Sequence, residues 1–277
     1  MHSPDDEIAM LRMPVHFGPA TGPRRGPDGK RFDWTNSPTR LSLLTRFRTD
    51  PGALNAIMPP GFELDGDPIV TVEVQYLSGL HWLGGRGYNT LGVRFPAVHR
   101  GGQDTRGMFL SVLWENLADP IITGREELGF NKVYCEIPPH RSLPGRQIAE
   151  ASWQGHQFFR LDLSDLEEVD SDSLSSEELG LGGEGTLHYK YVPRTGEWGK
   201  ADAAYGVLSP STGSSSKITQ AWRATGEHVF VESEWSQLPT LFRIVNALAA
   251  LPVRERLGGL MSKGHGGKDF SDQQRLD

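Results

Sequence analysis

Alternation of apolar and polar residues recurs along the chain and predicts β-strands. In PIVTVEVQY, residues 68–76, valines occupy every second position from 70 to 74, and Thr71, Glu73 and Gln75 lie on the other face. A period of two residues is typical of a strand that buries one face. Alternation or a short apolar run of strand length occurs in five further segments: MFLSVLWEN (108–116), VYCEI (133–137), HQFFRLDL (156–163), TLHYKYV (186–192) and HVFVESEW (228–235).

Helical signals are few. Asp50 and Pro51 are typical of an N-cap followed by a proline at the first helical position, and the proline pair at 59–60 ends the short helix. A clear apolar helical period occurs only at 238–249, before Pro252 interrupts it. Many short strands with few helices predict an α+β fold that is mainly antiparallel β, a sheet or barrel with a few peripheral helices.

The chain is predicted to form one domain with two irregular ends. Residues 1–30 are rich in glycine, proline and charge and read as an extended N-terminal arm, residues 31–265 form the folded domain, and residues 266–277 read as a loose tail. The acidic, serine-rich segment 164–179 is predicted to be a solvated loop, and STGSSSK at 211–217 a flexible turn.

Composition narrows the class of protein. The 277 residues are 37% hydrophobic and 23% charged, as in soluble globular proteins. A net charge of −7 argues against nucleic acid as a partner, because phosphates would need a basic surface. Cys135 is the one cysteine, which excludes an internal disulfide and is compatible with a reducing compartment. With no leader sequence and no apolar run of membrane-spanning length, we expect a cytoplasmic protein without a membrane partner.

Two short motifs match catalytic patterns but lack the context that would support them. GLGGEG at 180–185 fits the dinucleotide-binding spacing, yet it follows an acidic segment and leads into a strand rather than opening a helix. SSSK at 214–217 fits the pattern of serine acyl-enzymes but lies in a Ser/Gly run. The nine histidines show no metal-ligand spacing. The sequence therefore predicts neither a cofactor nor a metal site.

Lys132 is the one candidate nucleophile that the sequence singles out. It is the only lysine between Lys30 and Lys190, and it lies between Phe130-Asn131 and an apolar run. A free lysine has a pKa of about 10.4, so only about one molecule in 2500 carries a neutral amine at pH 7. Burial or a nearby cation favours the neutral amine, which can form a Schiff base with a ketone. Alternatively, Lys132 is an ordinary strand-end lysine with its amine in water.

The sequence around Lys132 resembles the acetoacetate decarboxylase superfamily. That family has a Gly-Arg-Glu tripeptide followed a few residues later by an aromatic residue, usually a proline, and the Schiff-base lysine. The chain has GRE at 124–126 and GFNK at 129–132. In acetoacetate decarboxylase the lysine is activated by a cationic neighbour. The resemblance implies a cone-shaped, acetoacetate decarboxylase-like β-barrel with peripheral helices.

Other segments match the family in the same order along the chain, so the resemblance covers about residues 30–265. Residues 40–64 resemble its early strand, short helix and turn, and residues 251–262 its closing helix region. The resemblance places a site arginine at Arg40 and a site glutamate at Glu73. We expect Arg40 to hold a substrate carboxylate and Glu73 to orient water or move protons, as their chemistry allows.

Three positions depart from the family pattern. Val133 replaces the second lysine of true acetoacetate decarboxylases, Asn131 replaces the usual proline, and Thr90 aligns approximately with a second site glutamate. Without a neighbouring ammonium group, activation of Lys132 is expected to come mainly from burial. The departures resemble family members that use the same lysine for aldol condensation with dehydration, or for hydration.

The resemblance therefore predicts a Schiff-base lyase that acts on an oxo acid through Lys132, together with an apolar or aromatic carbonyl co-substrate. The catalytic residues are expected to be Lys132, Glu73 and Arg40. Besides Arg40, four residues are predicted to bind the substrate: Tyr88, Thr90, Trp114 and Phe130. A genuine β-oxo acid decarboxylase and a non-catalytic, ligand-binding barrel are the alternatives. The family's habit also predicts a homo-oligomer.

Overall fold

A computed structural model describes residues 11–277 and contains one large sheet. Its fourteen strands within that range are β1 (Thr39–Arg48), β2 (Phe62–Leu64), β3 (Ile69–Leu80), β4 (Arg86–His99), β5 (Thr105–Glu115), β6 (Lys132–Tyr134), β7 (Arg141–Leu143), β8 (Arg146–Trp153), β9 (His156–Val169), β10 (Gly185–Pro193), β11 (Ala201–Pro210), β12 (Lys217–Phe230), β13 (Glu255–His265) and β14 (Gln274–Leu276).

The sheet is mainly antiparallel, which confirms the predicted fold class. Its strands lie in the order β14-β11-β10-β5-β4-β3-β1-β13-β12-β9-β8-β7, with β2 beside β4 and β6 beside β5. Only β10 and β6 run parallel to their neighbour β5 among the described strands. The end strands β14 and β7 do not pair with each other within residues 11–277. The described strands therefore form an open sheet rather than a closed barrel.

Three α-helices accompany the sheet in the described part of the chain: α1 (Pro51–Asn55), α2 (Ala118–Thr123) and α3 (Phe242–Ala249). The predicted cap of α1 is confirmed, since the Asp50 side chain accepts a hydrogen bond from the Ala53 amide at 3.0 Å. The α2 helix continues as a π-helical turn at Gly124–Leu128. No helix within residues 11–277 has the length and apolar character needed to cross a bilayer.

The central strands separate a hydrophobic core from a polar face. On β3, Val70, Val72 and Val74 are buried in the core cluster, while Glu73 and Gln75 alternate to the other face. The core extends from these valines to the aromatic side chains of β5, β9 and β12, and to the apolar face of α3. Alternation along β3 thus directs the polar residues of the sheet to the face opposite the core.

Both ends of the domain pack against it. The predicted loose tail at 266–277 contains β14, which pairs with the edge strand β11, and Leu276 packs on the core. Pairing with β14 satisfies backbone N–H and C=O groups that the edge strand β11 would otherwise leave without partners. This explains why the tail is ordered and not loose. In the predicted arm, Arg24 forms an ion pair with Glu127 at 2.7 Å. Residues 1–10 of the arm lie outside the described part of the chain.

Trp114 on β5 is a central core residue. Its side chain is fully buried, with ring centroids 5.6 Å from Phe158 and 6.1 Å from Phe230. We expect Trp114→Ala to lower the free energy of unfolding by about 3–5 kcal/mol, because it removes a large buried side chain. The matched control is Trp198→Ala, since Trp198 is 98% exposed. Urea denaturation measures both; equal effects would contradict this account of the core.

Candidate active site

The polar face of the sheet encloses a cavity of about 1190 Å³. Strands β1, β3, β4, β5, β6 and β13 contribute to its wall, as does the segment that follows α2. Six of the seven predicted site residues line it: Arg40, Glu73, Tyr88, Thr90, Phe130 and Lys132. Trp114 instead lies in the hydrophobic core, because alternation along β5 turns its neighbour Glu115 toward the cavity and Trp114 away from it. The structure thus corrects the predicted placement of Trp114.

The amine of Lys132 is buried at the wall of this cavity. The residue is 7% exposed, and its Nζ atom lies 2.9 Å from Glu115 Oε1 and donates a hydrogen bond to the Pro120 carbonyl at 3.0 Å. The Phe130 ring centroid is 5.2 Å from the same nitrogen. A strand-end lysine with its amine in water is therefore the wrong interpretation.

The Gly-Arg-Glu tripeptide makes room for Lys132 and holds its backbone. A Cβ atom on Gly124 would lie 2.5 Å from Lys132 Cδ and 2.8 Å from its Nζ, so any larger residue would displace the lysine. Arg125 Nη1 donates to the Lys132 carbonyl at 2.7 Å. The carbonyls of Glu126 and Glu127 accept hydrogen bonds from Lys190. The motif thus leaves room for the Lys132 side chain and fixes its backbone by a hydrogen bond.

The residues before Lys132 form a tight turn against β5. Gly129 has a φ of 75°, a left-handed conformation that favours glycine. Asn131 replaces the family's usual proline, and its Nδ2 donates to the Leu110 carbonyl at 2.9 Å. The Asn131 carbonyl in turn accepts from the Leu113 amide at 3.0 Å. These two bonds fix the turn on the strand that carries Glu115.

Glu115 is a site residue that the sequence did not reveal. It is 1% exposed, Oε1 contacts Lys132, and Oε2 has no hydrogen-bond partner among the described residues. Burial raises the pKa of its carboxyl group, and the Lys132 charge opposes this only in part. In the β4–β5 ladder Glu115 lies directly opposite Thr90. The family's second site carboxylate is missing at Thr90, but Glu115 supplies a carboxylate on the neighbouring strand.

Glu73 has a different electrostatic environment. Its Oε2 atom lies 2.6 Å from Arg94 Nη1, and Oε1 accepts from Gln75 Nε2 at 2.9 Å. Burial acts to raise the pKa of Glu73, but the Arg94 charge and hydrogen bonds from Gln75, Arg94 and Ser42 together lower it. Glu73 therefore remains ionised at neutral pH, with its charge balanced by an arginine that the sequence analysis did not identify.

Arg40 provides a cation to the cavity and forms no ion pair with a carboxylate in residues 11–277. Its Nη2 atom donates to the Gly266 carbonyl at 2.6 Å. Burial lowers the pKa of Arg40 and the charge of Glu73 opposes this, yet a guanidinium group stays protonated at neutral pH. A substrate carboxylate would meet a fixed positive charge here.

Aromatic side chains cover the lysine. The Phe130 ring lies 4.0 Å from the His188 ring and 5.4 Å from that of Phe270, between centroids. His188 is fully buried, with Nε2 3.2 Å from Ser209 Oγ. Burial, with a smaller effect of the Lys132 charge, lowers the pKa of His188 to about 3. The imidazole is therefore neutral and adds no charge beside the lysine.

The segment after β9 forms part of the cavity wall. The region predicted as a solvated loop, 164–179, begins inside β9, which extends to Val169. Arg94 donates to the carbonyls of Leu179 and Gly180, at 2.9 and 2.7 Å. Arg223 Nε also lies 2.7 Å from Glu178 Oε1. Arginines of the sheet thus hold the end of this acidic segment against it. The solvated-loop prediction is wrong for 164–169, which belong to β9, whereas 170–177 are mostly exposed.

Solved structures share this fold. An acetoacetate decarboxylase from Legionella pneumophila aligns with a TM-score of 0.64 and 18% identity, over 88% of this chain and 91% of that one. An acetoacetate decarboxylase-like enzyme from Sphingomonas wittichii RW1 gives 0.62 and 18%, over 91% and 97%. The enduracididine biosynthesis enzyme MppR, complexed with the condensation product of pyruvate and imidazole 4-carboxaldehyde, gives 0.59 and 19%, over 91% and 98%.

Sequence comparison extends this likeness from fold to family. No curated protein matches the chain significantly. The family model described as acetoacetate decarboxylase (ADC), however, matches residues 12–265, which include every strand from β1 to β13 and the segment around Lys132. The chain therefore belongs to the acetoacetate decarboxylase family.

Proposed function

We propose that the protein is a Schiff-base lyase in which Lys132 forms an imine with an oxo acid. The observation that carries this proposal is the buried Lys132 amine, which lies at the wall of a large cavity that Arg40 also lines. An amine at the wall of a cavity can attack a ketone carbon that is bound there, once it has given up its proton.

Arg40 supports an oxo acid rather than a neutral ketone as the substrate. Its planar guanidinium can donate two parallel hydrogen bonds to a carboxylate. Once Lys132 forms the protonated imine, the cation withdraws electrons from the adjacent carbon and favours loss of a proton or of carbon dioxide there. Glu73, held as a carboxylate by Arg94, is suited to orient water at the opposite wall.

The cavity favours aldol condensation with dehydration over decarboxylation of a small acid. Its volume of about 1190 Å³ exceeds the usual range of about 300–1,000 Å³ for a ligand pocket, so a second reactant has room. Its wall includes several aromatic or large apolar side chains suited to an apolar or aromatic carbonyl compound: Trp34, Leu77, Trp82, Leu110, Phe130 and Phe270. MppR, which shares the fold, has been solved with a condensation product of this type.

One observation favours the decarboxylase alternative. The departure at Thr90 removes a carboxylate from β4, but Glu115 lies opposite it and contacts Lys132. A carboxyl group that can carry protons to and from the site is therefore available. The departure at Val133 remains, because that side chain packs against the hydrophobic core and contributes no cation to the cavity. β-Oxo acid decarboxylation is our second candidate function.

Borohydride trapping tests the proposed imine. With pyruvate and borohydride, the wild-type protein should gain one reduced pyruvate adduct in its intact mass, and peptide mapping should locate it on Lys132. Lys132→Ala should gain none, because Lys132 is the only buried lysine among the described residues. The control is Lys217→Ala, since Lys217 also lines the cavity but is exposed. No adduct on the wild type, or an equal adduct on Lys132→Ala, would contradict the proposal.

The reaction type requires a second measurement. Given acetoacetate alone, we expect little carbon dioxide, because the site has no second lysine at Val133. Given pyruvate and an aromatic aldehyde, we expect a condensation product that has lost one water, detected by mass spectrometry. Rapid release of carbon dioxide and acetone from acetoacetate would instead establish the decarboxylase alternative.

A further inference from the structure

We propose that Glu115 takes a proton from the Lys132 ammonium group and later gives a proton to the hydroxyl group that leaves as water during imine formation. The proposal rests on the proposed Schiff-base function. It assigns acid–base catalysis to a residue that the resemblance does not place in the site.

The geometry of the pair carries the inference. Lys132 Nζ is 2.9 Å from Glu115 Oε1 and 3.0 Å from the Pro120 carbonyl oxygen, within reach of direct proton transfer. An ammonium group has three N–H donors, and these two contacts use two of them. The third position is left for the cavity that Lys132 lines. Proton transfer leaves the lone pair directed at Glu115, and rotation about the Cε–Nζ bond can then turn it toward the cavity and a bound ketone.

Glu115 also has the capacity to hold the proton. Its Oε2 atom is buried and has no hydrogen-bond partner within the described residues, although a buried carboxylate oxygen normally has one. A proton on Oε1, the oxygen that Lys132 contacts, would make the carboxyl group neutral and leave Oε2 as its carbonyl oxygen, which is less costly to bury without a partner than a carboxylate oxygen. Burial makes the charged form costly, so transfer from Lys132 to Glu115 replaces two buried charges with two neutral groups.

Glu73 is the competing carboxylate, and its contacts argue against this role. Arg94 lies 2.6 Å from Glu73 Oε2, and Gln75 donates to Oε1. Both oxygens are therefore occupied by donors that stabilise the charged form. Glu73 is also on β3, separated from Lys132 on β6 by β4 and β5. Glu115 is both closer to the amine and easier to protonate.

The proposed steps conserve protons and electrons. The Lys132 ammonium gives one proton to the Glu115 carboxylate, and the amine lone pair forms a bond to the ketone carbon while the C=O π pair moves to oxygen. A proton passes from the nitrogen to that oxygen, which gives a neutral carbinolamine. Glu115 then protonates the hydroxyl group, water leaves, and the nitrogen lone pair forms the C=N bond. The products are a protonated imine, water and the Glu115 carboxylate.

The other ionisable groups that face the pair stay in one form near neutral pH. Burial, with the Glu115 charge adding to it, raises the pKa of Tyr88 well above its usual range. His188, from β10, has a pKa lowered to about 3. Between about pH 5 and 9 both are therefore neutral, and Glu73 is ionised. A pH dependence in this range would report on the Lys132–Glu115 pair.

The test is the rate of imine formation with pyruvate across that pH range, by borohydride quenching at timed intervals and intact mass. We expect Glu115→Gln, which keeps the side-chain volume, to slow the reaction by about 100-fold and to change the shape of its pH profile, because the ammonium group then has no carboxylate to accept its proton. Glu115→Asp should be slow but keep the wild-type shape of the pH profile. Glu73→Gln should lower the rate without shifting the profile. Glu63→Gln is the control, because Glu63 is an exposed residue on β2.

The outcomes separate this inference from the proposed function. Imine formation by Glu115→Gln within about threefold of the wild-type rate, and with the same pH profile, would overturn the role of Glu115 while leaving the Schiff base intact. No imine on the wild-type protein would overturn both. If Glu115→Gln does not fold, judged by circular dichroism, the Glu115→Asp profile decides: loss of its rise with pH would contradict the proposal.

Discussion

The buried contact between Lys132 and Glu115 is the interaction on which the site depends. Two opposite charges that are both removed from water are costly to bury, and either one alone would cost more. The pair therefore requires a precise place in the fold, and neighbouring residues supply it. Gly124 leaves the volume for the lysine stem, Arg125 holds the lysine backbone, and Asn131 fixes the turn to β5. The family motif therefore provides the space and the backbone contacts that hold one amine in place.

The architecture of the sheet gives this pair its cavity. Strand alternation sends valines and Trp114 into the core and sends polar residues into the cavity. Arg40 on β1 and Lys132 on β6 are far apart within the sheet, yet both line the same space. Arg94 balances the charge of Glu73 through an ion pair and also donates hydrogen bonds to the carbonyls of Leu179 and Gly180. It thus connects β4 to the segment after β9. The cavity therefore brings a guanidinium group and a buried amine from different strands to one space.

Local patterns predicted much of the fold, and six of the seven residues that the resemblance placed in the site line the cavity. The regular alternation of β3 identifies Glu73 as a residue opposite the core. The near-continuous apolar run of β5 does not show which face meets the core, because both faces are covered, and this is why Trp114 was misplaced.

Contacts that depend on the pairing of strands distant in sequence could not be predicted from local patterns. Glu115 comes next to Lys132 through the pairing of β6 with β5, and the tail becomes ordered only because β11 offers an open edge. A single carboxylate at the end of an apolar strand was the one available signal for Glu115.

The most direct measurement of the central claim is a double-mutant cycle on the buried pair. Urea denaturation would give the free energy of unfolding for the wild type, Lys132→Met, Glu115→Leu and the double variant. We expect each single variant to lose about 3–5 kcal/mol, because it leaves one charge buried without its partner, and the double variant to recover most of that loss. Losses that simply add in the double variant would show that Lys132 and Glu115 are not coupled, and would contradict the account.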